Sequence, residues 1–420
     1  LQLSSRWFFQ AYIFRFFYIF TLQVVALDMM TSLKAVRSTS SLRLASSTSS
    51  SIFSNGVSSR IQERVFVCSD GLKLAAQHYP PLKQENLQGS SLSTIRSNKI
   101  LMLHGWLDNC RSFWKLAPHL PHDDIIALDL PGHGQSDHKS VDNPTLVLAE
   151  AVYYVIDVLR QLEWNSGQVT LVGHSMGAAI GIMCAAAFPE KFDRLILLDG
   201  VGPLYRPESD VAQHIRSHIE ARFRGQSATQ QQQQQQPKQN VDGRHRYQDK
   251  KSYPSREAAA LTRQATTARL APGKQYLSIE AARELVNRAT DEIPVPVDTT
   301  VEGEINDIGN NDNGDLNAND KTANMVVFRH DKRLQWPSLL YMTSGQVAAL
   351  EEAVQCPTLL LLAKDGWPID PDRLERVKER LKPAACHILP GSHHFHADPD
   401  TADEVARHVQ QFLNTSIVTE

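Results

Sequence analysis

The chain has 420 residues, a formal net charge of −3 and 42% hydrophobic residues, which is enough for a sizeable core in one large domain with an insertion, or in two domains. So small a net charge gives no reason to expect a nucleic-acid partner. The five cysteines, Cys68, Cys110, Cys184, Cys356 and Cys386, are scattered, odd in number and form no CxxC pair, which fits free thiols in a reducing compartment better than a disulfide framework or a zinc site.

Residues 1–60 are read as a leader, targeting or disordered segment outside the fold. The stretch 7–27 is apolar and aromatic, broken by Gln10, Arg15 and Gln23. It reads either as a signal anchor or as sequence upstream of a true start at Met29 or Met30. Membrane contact is expected only if 7–27 is real and retained. After Met30 the chain is serine-rich, carries Lys34, Arg37 and Arg43, and has no carboxylate before Glu63. That is the composition of a mitochondrial transit peptide or of a polar tail. The expected location is intracellular, cytoplasmic or mitochondrial. Secretion is disfavoured, so the Asn414-Thr415-Ser416 sequon carries no weight.

From Arg64 two alternating segments flank Ser69-Asp70-Gly71 and predict a β-hairpin over 64–79. Residues 81–98 read as a polar loop. The continuous apolar run 100–103 is a strand buried on both faces. Strand and helix then alternate: strand 125–128, helix 144–162, strand 169–172, helix 176–188, strand 195–198. After an interruption come strand 358–362, helix 371–381, strand 386–389 and helix 402–413. Such alternation gives an α/β fold, a mostly parallel eight-stranded sheet with helices on both faces. The core is expected over 61–202 and 346–420, split by a helical cap insertion over 203–345. Within the cap, 209–224, 255–270 and 278–289 have helical spacing. The glutamine run 230–236 and the Asn/Asp/Gly-rich segment 302–324 are expected to be disordered. The latter lacks the Gly and Glu spacing of a calcium loop.

Gly173-His174-Ser175-Met176-Gly177 matches G-x-S-x-G and lies between a buried strand and an Ala-rich helix, the context in which this motif makes a nucleophile elbow of the α/β-hydrolase fold. The sharp turn presents Ser175 at the sheet's rim and aims a helix N-terminus at the reaction centre. A serine hydroxyl needs a base. The loop Pro390-Gly391-Ser392-His393-His394-Phe395-His396 follows the last strand, where the base belongs. His393 is the expected base and His394 the alternative. Three histidines on one loop invite a metal reading, but no carboxylate or cysteine motif elsewhere completes a site, so neither metal nor cofactor is expected. The acid that orients the imidazole is expected at Asp365, with Asp199 as the alternative; both end strands. The backbone N–H groups of Trp106 and Met176 are the expected oxyanion donors. His104 reads as a structural hydrogen-bonder. Asp129-Leu130-Pro131-Gly132-His133-Gly134-Gln135-Ser136 reads as an architectural loop.

Taken together, His104-Gly105-Trp106-Leu107-Asp108-Asn109, Asp129 to Gly134, the 173–177 pentapeptide, 391–396 and Phe328-Arg329-His330-Asp331-Lys332-Arg333-Leu334 resemble the serine hydrolase-like proteins, the kraken-like branch of the α/β-hydrolase superfamily. The resemblance covers about 64–203 and 328–413. It implies a Ser-His-Asp hydrolase acting on a small-molecule acyl substrate, a carboxylic ester or thioester, through an acyl-enzyme. It departs at the acid: the position where many members carry it is Gly366 here, one past Asp365, which keeps Asp199 open. The His393 and His396 spacing matches the usual base loop. The rival readings are a non-catalytic binding protein that keeps the fold and a non-hydrolytic, lyase-type member of it.

Overall fold

The computed structural model describes residues 61–82, 97–140, 147–164, 167–235, 250–270, 277–296 and 322–415. The expected leader, the 7–27 stretch and residues 302–321 of the Asn/Asp-rich segment lie outside these. Among the described residues no helix is long and apolar enough to cross a membrane.

Eight strands form the central sheet: β1 (Gln62–Val67), β2 (Lys73–Tyr79), β3 (Lys99–Leu103), β4 (Asp124–Leu128), β5 (Val169–His174), β6 (Phe192–Leu198), β10 (Thr358–Asp365) and β11 (Ala385–Ser392). Their order is β1-β2-β4-β3-β5-β6-β10-β11. The β1–β2 hairpin and its β2–β4 junction are antiparallel, and every pairing from β4 to β11 is parallel. The expected fold class is therefore the observed one.

The apolar runs work because strand side chains alternate faces. Leu101, Leu103, Leu171, Leu195 and Leu197 pack on one side with α1 (Ala151–Gln161), α2 (Met176–Ala187) and α7 (Pro371–Leu381). Ile100, Met102, Val172, Ile196 and Leu198 pack on the other with α8 (Ala402–Asn414). Consecutive crossovers run to opposite sides of β3, so the C-terminal ends of β3 and β5 open a crevice where such sheets hold ligands.

Between β6 and β10 lie α3 (Val211–Gln235), α4 (Arg256–Leu270), α5 (Ile279–Ala289) and α6 (Ser344–Ala353). Two expectations change here. Helix α3 continues through Gln235, so most of the glutamine run is helical, in keeping with the good helix propensity of Gln. The insertion also contains an antiparallel sheet, β7 (Ser252–Tyr253), β8 (Thr290–Pro296) and β9 (Thr322–Phe328), in the order β7-β9-β8.

The insertion is tied to the core by buried polar contacts. Arg288 of α5 donates to Asp129 Oδ2 at 2.8 Å and to both oxygens of Glu63 at 2.9 Å. Asn109 Nδ2 donates to Leu285 O at 2.9 Å. The chain re-enters the core at 329–335, where Asp331 N donates to Gly132 O at 2.8 Å.

Candidate active site

Ser175 stands between β5 and α2 with φ 52° and ψ −111°, a strained conformation for a residue with a Cβ. Its N–H donates to Leu198 O at 3.0 Å, which anchors the turn to β6. The turn closes tightly because of its glycines. A Cβ on Gly177 would overlap the carbonyl of Leu103, and one on Gly173 would overlap the backbone of Gly177. The first of these contacts brings the start of α2, with Met176 N–H, against the end of β3. The His104-Gly105-Trp106 loop leaves β3 at that point. His104 Nδ1 bonds Gly105 O at 2.7 Å and its Nε2 accepts Leu130 N–H at 3.0 Å, which fixes the loop and the tautomer. The Trp106 indole donates to Leu334 O at 3.0 Å, so the junction segment leans on this loop.

His393 Nδ1 donates to Asp199 Oδ2 at 2.5 Å. Asp199 directly follows β6 with φ 43°, a left-handed conformation that Asp tolerates better than most residues. Its Oδ1 accepts Ala363 N–H and its Oδ2 accepts Trp367 N–H, both at 3.0 Å. Burial would raise this carboxyl, but the bonds from His393 and the two amides outweigh it and hold the group below its ordinary value. Asp365, the first-choice acid from sequence, is exposed at the end of β10 and pairs in register with Ser392. The carboxylate brought to His393 is the alternative, Asp199. The physical reason is at Gly366: the Asp199 carboxylate occupies the space a side chain there would fill, so the β10 turn receives a carboxylate from β6.

The three loop histidines diverge. His394 Nε2 bonds Asp108 Oδ2 at 3.1 Å, and His396 Nε2 bonds Ser112 Oγ at 2.7 Å. His174, next to Ser175, donates from Nε2 to His393 O at 2.9 Å, a direct tie between the serine turn and the 391–396 loop. Burial, with help from His393 and His394 and against an upward pull from Asp108, brings the His174 imidazole down to about 4. Asp108 also takes Arg263 of α4 at 2.5 Å on Oδ1. Burial raises the Asp108 carboxyl, but His394, His174 and Arg263 hold it well below the usual range. Asp108 and His174 were legible only as letters inside larger motifs. Arg263 and Arg288 sit on cap helices with no local signal of their role.

The Asp129 loop is structural: the carboxylate accepts Cys110 N–H and Gln135 N–H at 2.8 Å each, besides Arg288. All five cysteines are free, and Cys68, Cys110 and Cys184 are buried.

Residues 98–399 match the alpha/beta hydrolase fold family. The chain belongs to that family. A serine hydrolase-like protein of Dictyostelium discoideum is 28% identical over 364 residues, 83% of this chain and 80% of the relative. A probable serine hydrolase of Drosophila melanogaster is 26% identical over 320 residues, 75% of this chain and 80% of the relative. A hypothetical protein of Pseudomonas aeruginosa PAO1 of known structure superposes with a TM-score of 0.61 at 28% identity, covering 85% of this chain and all of that one. The thioesterase domain from the curacin biosynthetic pathway shares the fold, with a TM-score of 0.56 at 19% identity over 84% of this chain and 99% of its own length. The resemblance to serine hydrolase-like proteins thus extends over most of the chain, and family and relatives together support a hydrolase.

Proposed function

We propose that this alpha/beta hydrolase cleaves carboxylic ester or thioester bonds of a small acyl substrate through an acyl-enzyme on Ser175, with His393 as base and Asp199 as its partner. The observation that carries the reading is the 2.5 Å contact between His393 Nδ1 and Asp199 Oδ2, on a loop bonded to the residue beside Ser175. With Nδ1–H committed to the carboxylate, Nε2 is the ring nitrogen left with a lone pair to take the Ser175 proton. Oγ then attacks the acyl carbonyl, and the N–H groups of Trp106 and Met176 stabilise the oxyanion. His393 returns the proton to the leaving alcohol or thiol. It next deprotonates a water, which attacks the acyl-enzyme and frees Ser175. The buried Asp199 carboxylate stabilises the imidazolium formed in both halves of the cycle.

The test is covalent labelling with a fluorophosphonate probe, alongside a panel of simple esters, thioesters and acyl-glycerols. Wild-type protein is expected to label and to turn over at least one of these classes, and Ser175→Ala to do neither. Absence of labelling in folded wild-type protein would leave the non-catalytic binding reading in its place. Labelling without hydrolysis of any acyl compound would favour a non-hydrolytic member of the fold.

A further inference from the structure

Asp108, His174 and His394 are all buried, and they present Oδ2, Nδ1 and Nε2 within 4.8 Å of one another. We propose that this cluster is a binding site for a divalent transition-metal cation of the zinc type, and that its occupation slows the hydrolase reversibly.

The first observation is the position of His174. Its ring lies between two acceptors, with Nε2 at 2.9 Å from His393 O and Nδ1 at 3.6 Å from Asp108 Oδ2. A carbonyl oxygen cannot donate, so Nε2 carries a proton, and in the neutral ring Nδ1 turns its lone pair toward the carboxylate. Among the described residues that buried Nδ1 has no hydrogen-bond partner. At 3.6 Å that nitrogen and the carboxylate are too far apart for a good hydrogen bond, an incompletely satisfied buried nitrogen is costly, and a cation between the two would pair with both.

The second observation is the spacing. Zinc bonds of about 2.0–2.1 Å to nitrogen and oxygen imply ligand–ligand edges of about 3.3–3.4 Å in a tetrahedron. The Asp108 Oδ2 edges to His394 Nε2 and His174 Nδ1 are 3.1 and 3.6 Å, on either side of that value. The surroundings match what metal ligands usually have. His174 gives its other N–H to a backbone carbonyl, and Asp108 uses its other oxygen, Oδ1, for Arg263 at 2.5 Å. Two imidazoles and one carboxylate suit zinc and its neighbours better than calcium or magnesium, and three protein ligands leave a fourth position for water.

The effect on activity rests on the function proposed above. His174 precedes Ser175 and His394 follows His393, and the His393 ring centroid lies 4.7 Å from that of His174 and 5.2 Å from that of His394. A double positive charge there opposes the imidazolium that His393 must become.

Binding is tested without reference to catalysis. Chelator-stripped protein is titrated with Zn²⁺ against a chromophoric competitor, and with Co²⁺ followed by its visible absorption. One zinc per chain and a tetrahedral Co²⁺ spectrum are expected. Asp108→Asn and His174→Gln are each expected to weaken zinc by at least about tenfold. His408→Ala, which removes half of the separate His387–His408 pair, is expected to leave binding unchanged. Should the ligand variants not fold, Arg263→Gln keeps all three ligands but removes the partner that orients the Asp108 carboxylate, so it is expected to weaken zinc by about tenfold or more. No stoichiometric binding, binding unaffected by the ligand variants, or unchanged binding in Arg263→Gln would each overturn the site. Zinc bound at this site with no fall in fluorophosphonate labelling rate would overturn the inhibition while leaving the proposed hydrolase intact.

Discussion

Replacing Asp199 by Asn separates the two acid candidates. The Asp199 carboxylate accepts three hydrogen bonds, Ala363 N–H on Oδ1 and both Trp367 N–H and His393 Nδ1–H on Oδ2. An amide has only one acceptor oxygen. If that oxygen faces His393, the new NH₂ opposes Ala363 N–H, leaving a buried donor unsatisfied at about 1–3 kcal/mol. If the amide is flipped, NH₂ faces Trp367 N–H, and His393 must accept at Nδ1. Its proton then moves to Nε2, where a base needs a lone pair. Either way the imidazolium loses its anionic partner. Triads that lose the carboxylate in this way fall by up to about 10⁴ in turnover. At about 1.4 kcal/mol per decade, a fall of about 10²–10⁴ corresponds to about 3–5.5 kcal/mol of lost transition-state stabilisation. Steady-state hydrolysis of an activated ester is expected to show that loss in kcat/KM for Asp199→Asn. For Asp365→Asn, whose side chain is exposed, the change is expected to stay within about threefold. Near-wild-type activity in Asp199→Asn together with collapse in Asp365→Asn would refute the assignment.

Gly177→Ala puts a methyl group into the Leu103 carbonyl and is expected to lower stability by about 1–3 kcal/mol and to abolish fluorophosphonate labelling; a variant that labels at the wild-type rate would show that the approach of β3 to the serine turn is dispensable. Arg288→Met leaves Asp129, fully buried, without its cation. Chemical denaturation is expected to show a cost of about 3–5 kcal/mol, and a cost below about 1 kcal/mol would mean that this pair does not hold α5 to the core. Burial pushes the Asp331 carboxyl up, but Arg333 and His138 together bring it down further, so its folded pKa lies below the unfolded value. Its contribution is therefore complete above the unfolded carboxylate pKa, about 3.9, and is lost as pH falls through the folded value. Urea midpoints are expected to show an advantage of wild type over Asp331→Asn that is steady between pH 7 and about pH 5 and shrinks near pH 3; an advantage that widens on acidification would contradict the sign.

Most of the sheet was legible because its central parallel strands are short apolar runs, such as Ile100 to Leu103, that only a strand covered on both faces can bury. The serine turn was legible for a local reason as well, since steric closure there requires glycines two positions either side of Ser175. The acid was not. Asp199 and Asp365 both end strands, and the choice depends on which side chain crosses between neighbouring strands, a relation set by the volume left empty at Gly366. The partners of the loop histidines were hidden for the same reason: Asp108 lies 286 residues from His394 and meets it only once β3 and β11 are in place. The cap sheet was missed because its strands are short or rich in proline and polar residues, as in Thr290–Pro296, and β8 becomes a strand only by pairing with β9.

The central claim is that acyl transfer passes through Ser175 Oγ. The direct measurement is mass spectrometry of protein quenched during turnover of an activated ester, with the modified peptide sequenced. An acyl group on Ser175 is predicted in the pre-steady state, disappearing as the ester is exhausted and absent from His393→Ala. Steady ester turnover with no acyl adduct on Ser175 at any quench time, or with the adduct on another residue, would contradict it.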